Sequence, residues 1–239
     1  IADGRRSVGL LSAELCLTLK TRGRGGGVQL LVAGRRGVTL ALQAVAQAQP
    51  ERPLVFALSL ADGEELAAAG LHPPGQGGTG GASDEAAPPG GEEAPAPRRG
   101  FRFFFPGHAD EAETMDVRVG AAPSRVLLVK SEGSLLPLTK AVATEVARLP
   151  EGATAAVETL LGGKAKSIWT RTHRMAEAVA QAYQWQVAPA SPKLWTRPFR
   201  CVAAEVAASA APPAERQAEG GPRRVLRLTL LPEGPSRPG

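Results

Sequence analysis

The 239 residues, 43% of them hydrophobic and 4% aromatic, suffice for one or two domains with a core of Val, Leu and Ala. The net charge of +5 hides an asymmetry, because seven acids (Asp62, Glu64, Glu65, Asp84, Glu85, Glu92 and Glu93) lie between Asp62 and Pro97 without a Lys or Arg. That leaves +12 on the remainder, a surplus that favours a polyanionic partner and that a GC-rich genome, enriching arginine, would also produce.

The first helix starts at Ser7, carries Val8, Leu11, Leu15 and Leu19 at helical spacing and stops at Gly23. Val28 to Val32 has the length and composition of a strand. Gly34-Arg35-Arg36-Gly37 leads into a second helix, with Val38, Ala41, Leu42 and Val45 on one face and Pro50 as its stop. Leu54 to Leu60 is the next strand. Residues 62–97 are Gly, Pro, Ala and acid without periodicity, which predicts a disordered insertion; Phe101 to Phe105 is then a strand, and 107–124 an acidic linker.

A fuller version of the same unit occupies 125–232, with a tail at 233–239. It opens with a strand, Arg125 to Val129, that the first unit lacks. A helix with Leu135, Leu138, Val142, Val146 and Leu149 follows, then a strand from Ala155 to Leu160. The next helix carries Ile168, Thr172, Met175, Val179 and Tyr183, and strands near Phe199 to Ala207 and Val225 to Leu230 complete the order β-α-β-α-β-β. Three offsets support a duplication. Ser7 and Ser134 differ by 127, Gly34 and Gly162 by 128, and the run Arg98-Arg99 with Arg102 returns 125 residues later as Arg223-Arg224 with Arg227. The expected fold is α+β: two tandem units, each a mixed sheet with its helices on one face, giving two layers.

Ser7-Val8-Gly9-Leu10-Leu11, Arg22-Gly23, and Val32-Ala33-Gly34-Arg35-Arg36-Gly37-Val38 leading into Leu42 to Ala48 resemble the Alba superfamily. Within it, the first unit resembles the stage V sporulation protein S branch. The second unit resembles the superfamily more loosely, through Gly162 to Lys166 and Ala176 to Ala180. The resemblance implies nucleic-acid binding, RNA or DNA, with the arm between the last two strands in contact; that points to Arg98, Arg99, Arg102, Arg223, Arg224 and Arg227. An edge strand kept from aggregating by charge is the other reading of these arginines.

The residues themselves suggest a second locus. A glycine-bracketed basic loop at a helix start directs backbone N–H groups and partial positive charge outward, so Arg35 and Arg36, and their counterparts Lys164 and Lys166, suit a phosphate; a plain turn with solvated charges is the alternative. Arg5, Arg6 and Lys130 precede the first helix of each unit and form a third. Among the aromatics, Trp195 is the candidate for base stacking, while Trp169, Tyr183, Trp185 and Phe199 read as core or interface.

His72, His108 and His173 form no metal-ligand cluster with Cys or Asp, and neither a phosphate loop ending in Lys-Ser or Lys-Thr nor Gly-x-Ser-x-Gly is present. The expectation is therefore a binding protein without cofactor or metal rather than an enzyme. Its two units are expected to pair as a pseudo-dimer within one chain, or else in a homodimer, through the faces of their first helices. The competing class is a protein-interaction or oligomerisation module of the same fold.

Two cysteines cannot make a disulfide framework, and no apolar run nears the roughly 20 residues that span a bilayer. The chain thus reads as soluble and not membrane-bound, in a reducing compartment: cytoplasm, nucleus or organelle interior. Its start at Ile1 rather than Met leaves room for a leader or a first strand ahead of it.

Overall fold

The computed structural model describes residues 7–22, 27–48, 54–71, 100–106, 122–187, 197–206 and 224–233. In chain order these form α1 (Val8–Arg22), β1 (Val28–Ala33), α2 (Gly34–Gln47), β2 (Val55–Ala61), α3 (Gly63–Ala68), β3 (Gly100–Phe105), β4 (Arg125–Leu128), α4 (Leu135–Arg148), β5 (Ala155–Leu160), α5 (Ala165–Val187), β6 (Phe199–Val206) and β7 (Val225–Pro232). The fold is α+β, with one seven-stranded mixed sheet of order β1-β3-β2-β6-β7-β5-β4. No helix among the described residues is long and apolar enough to cross a membrane.

Local chemistry accounts for the helix ends. Ser7 Oγ accepts the Leu10 N–H at 3.3 Å and caps α1. Gly34 takes φ +74, a left-handed conformation that turns the chain from β1 into α2 with no intervening residue. The corresponding turn after β5 uses four residues, so Gly34 and Gly162 are not strict counterparts.

Both halves carry the same strand arrangement. β3 lies between β1 and β2 as β7 lies between β5 and β6, with Leu31 and Ser59 flanking Arg102 as Glu158 and Ala204 flank Arg227. Alternation then sends Leu30, Val32, Phe56, Leu58, Phe101, Phe103 and Phe105 toward the helices, together with Val157, Phe199, Cys201, Ala203, Leu226, Leu228 and Leu230. All belong to one buried cluster.

Three expectations are corrected. The units do not hold separate sheets: β2 pairs antiparallel with β6, Val55 opposite Val202 and Phe56 opposite Cys201. Phe56 and Cys201 are equivalent positions of the two halves, so the junction has the pairing of a local twofold. Nor do the first helices meet. α2 packs on α5, each reaching over the other unit's strand, while α1 and α4 lie outside on α2 and α5.

The acidic segment, finally, is ordered at its start. Asp62 Oδ1 caps α3 by accepting the Glu65 N–H at 2.8 Å, and Leu66 and Leu71 pack with Ala61, Leu31 and Ala33 on the sheet face away from the other helices. Gly100 lies directly beneath Leu66; a Cβ there would come within 2.7 Å of the Leu66 methyls and the Val32 carbonyl. Residues 72–97 of that segment lie outside the described residues, as do 107–121 of the expected linker.

Candidate nucleic-acid interface

The strand arginines are neutralised within the fold. Arg227 donates to Glu158 Oε1 through Nε at 2.8 Å and Nη2 at 2.7 Å; Glu158 is fully buried and the Arg227 side chain 12% exposed. Arg102, at the equivalent position, faces Leu31 where Arg227 faces Glu158. It takes its carboxylate instead from Glu65 on α3, and that hydrogen bond raises the Arg102 pKa above its ordinary value. Arg224 is largely exposed but pairs with Glu205 of β6. Charge spent in this way attracts a polyanion weakly, so these three arginines serve the sheet first.

The helix-start cations are arranged differently. Arg35, Arg36, Lys130, Lys164 and Lys166 are exposed, and among the described residues no carboxylate pairs with any of them. Packing of α2 on α5 brings the glycine-loop cations of one half beside those of the other. The Arg36 guanidinium lies over the Trp169 ring, 5.8 Å from its centroid, a cation–π contact across the junction. Arg35 acts on His173 one turn further along α5, and Lys166 precedes Trp169 by three residues on the same side of that helix. Arg35, Arg36 and Lys166 therefore line a ridge around Trp169, with Lys164 at its beginning.

His173 marks the inner edge of this ridge. It stacks edge-on against Phe101 at 5.3 Å, with Nδ1 3.5 Å from Glu177 Oε2. Burial, and secondarily the Arg35 cation, lower its pKa to about 4, so it is neutral at pH 7.

Two further arginines hold the loops that carry the lysines. Arg171 Nη2 donates to the carbonyls of Leu160 and Gly162 at 2.9 and 2.7 Å, fixing the β5–α5 turn beside Lys164. Arg174 Nη1 donates to Gly133 O at 2.6 Å, and its Nη2 lies 3.3 Å from Glu132 O, which ties the β4–α4 loop after Lys130 to α5.

Sequence reasoning missed these clamps and the carboxylates Glu65 and Glu158. Arg171 and Arg174 lie three apart on α5, but their acceptors are backbone carbonyls, which no side-chain pattern announces. Glu158 had a signal: an acid at an alternating position in one strand opposite an arginine in another. Arg5, Arg6, Arg98, Arg99, Arg223 and Trp195 lie outside the described residues, as do His72 and His108. Among the described residues no group of three His, Cys, Asp or Glu could hold a metal ion.

No family model, curated protein or solved structure matches the chain.

Proposed function

We propose that this chain binds nucleic acid, RNA or DNA, as two Alba-like units joined within one polypeptide, and that the phosphate backbone runs along the ridge formed by Arg35, Arg36, Lys164 and Lys166, with Lys130 beside the clamped β4–α4 loop. The observation that carries this reading is the contrast in charge pairing. Strand arginines are matched with carboxylates, whereas helix-start cations of both units meet across the junction without one. The helix starts add partial positive charge to the same ridge. The shared α2–α5 packing supports the two units acting as one binding surface, without a second molecule.

Salt titration tests it. Five phosphate contacts give a slope of log K against log salt of about −4.5 on duplex and about −3.5 on a single strand, so affinity for duplex falls about 500-fold between roughly 50 and 200 mM. Labelled RNA and DNA oligomers of matched sequence, followed by anisotropy, provide the measurement. A flat slope overturns the reading and favours a protein-interaction module.

A further inference from the structure

We infer that the nucleic acid held on the ridge is single-stranded, with one unpaired base stacked on Trp169 and covered on its other face by Arg36, an assignment that rests on the phosphate-backbone reading above.

Trp169 is not a core residue. Tyr183 and Trp185, further along α5, pack against the large buried cluster, whereas Trp169 belongs to neither cluster and is partly exposed. The buried stripe of α5, Thr172, Met175, Ala176 and Val179, has the spacing of Val38, Ala41, Leu42 and Val45 in α2. With the two stripes in register, Trp169, three residues ahead of Thr172, takes the place that Arg35 holds three residues ahead of Val38. One half thus presents an indole where the other presents a cation. In a chain only 4% aromatic, that indole stands under Arg36 and one turn from Lys166.

Cations alone hold a backbone of either kind, because single strands and duplexes both present phosphates. An aromatic face among them separates the two. A duplex keeps its bases paired and stacked inside, while an unpaired base can lie on the indole, whatever its sequence. The spacing suits this. Bases stack about 3.4 Å apart along a strand, so a base between two planar groups holds them about 6.8 Å apart. The Arg36 guanidinium carbon lies 5.8 Å from the centre of the Trp169 ring, and an exposed arginine shifts by the missing distance of about 1 Å through its own rotamers. Guanidinium planes stack on bases as aromatic rings do, so the cation–π contact is exchanged for a base held on both faces. His173, the next ring along α5, is already engaged edge-on with Phe101.

The test titrates the full chain with three labelled probes of about 12 nucleotides, within the length such surfaces cover: a single strand, the same strand built of abasic sites, and the duplex. Each is made as DNA and as RNA, so that the tighter form identifies the sugar. The strand with bases should bind about 5- to 150-fold more tightly than the abasic strand. Trp169→Leu should erase that ratio while leaving duplex affinity, the single-strand salt slope and the thermal melt in place. Trp169→Phe should keep most of it. Arg36→Lys, at an exposed position, retains the charge and loses the planar face, so it should narrow the ratio without changing the slope.

Equal affinity for strands with and without bases, at a normal salt slope, overturns the stacking and leaves the phosphate reading standing. Salt-independent or absent binding of every probe removes that reading, and the stacked base with it. Equal losses on single strand and duplex in Trp169→Leu show that the indole only positions Arg36, which overturns the assignment as well. So does a ratio that survives Trp169→Leu and disappears in Trp195→Leu.

Discussion

Replacing Arg227 with alanine takes its guanidinium from Glu158, a carboxylate with no exposed surface, and leaves a void in its place. Breaking a buried pair from one side costs about 3–5 kcal/mol, because the remaining charge keeps its desolvation penalty and loses its compensation. Against a total stability of about 5–15 kcal/mol, that is about a fifth or more of what holds the fold together. At about 2–4 °C per kcal/mol for a chain of this size, the melting temperature should fall by roughly 6–20 °C. The double variant Arg227→Met, Glu158→Leu removes both charges and keeps the volume, so it should lie within about 1–2 kcal/mol of the parent, on either side. Urea denaturation of parent, two single variants and the double variant, with the m-value checked for constancy, completes the cycle. A loss below about 1 kcal/mol for Arg227→Ala, with no coupling in the cycle, refutes the reading of this pair as a buried structural element. In that case Arg227 returns to the set of arginines open to phosphate.

Four more tests follow from the same geometry. In the first half, Glu65→Gln should cost at most about 1 kcal/mol because the Arg102 pair is partly exposed, and Leu31→Glu added to it should restore the loss by recreating the Glu158 arrangement; a urea midpoint unmoved by the second substitution counts against the equivalence of the halves. Phe56→Ala, at the junction and 5.4 Å from the Phe103 ring, should cost about 3–5 kcal/mol, and tryptophan fluorescence and far-ultraviolet dichroism should still report one shared transition; two separable transitions would contradict the common core.

His173 is held neutral in the folded state, so its contribution is complete above pH 6.5 and is lost as pH falls toward about 4, by up to about 3 kcal/mol. His173→Gln should flatten that part of the acid limb in thermal melts; an unchanged limb places the acid sensitivity elsewhere. On the binding side, Arg35→Ala with Arg36→Ala should reduce the salt slope by about 2, whereas Arg102→Ala should leave it unchanged; equal losses would mean that the strand arginines also reach phosphate.

Among the described residues, eleven of the twelve helices and strands were legible from periodicity and punctuation, because amphipathic spacing, Gly34 and Pro50 act within a few residues of where they stand. The exception was α3. Its six residues show no periodicity, and they are held by an Asp62 cap and by Leu66 landing on Gly100, a contact made across 34 positions of sequence. The repeated order of strands and helices could be read along the sequence too, and the two halves carry the same strand arrangement. The basic loop at Arg35 and Arg36 could be read as exposed because glycines bracket it and no apolar pattern buries it.

What only the tertiary structure decided is which charges are spent. Arg102 and Arg227 occupy one position in a repeated motif, yet one finds its carboxylate on a neighbouring strand and the other on a helix inserted elsewhere, because strand register and chain return determine which side chains meet. The joining of the halves was decided at the same level. A strand carries no mark in its own sequence of which edge it will pair with, and Phe56 comes opposite Cys201 where α2 packs on α5 and each helix covers the other half's strand.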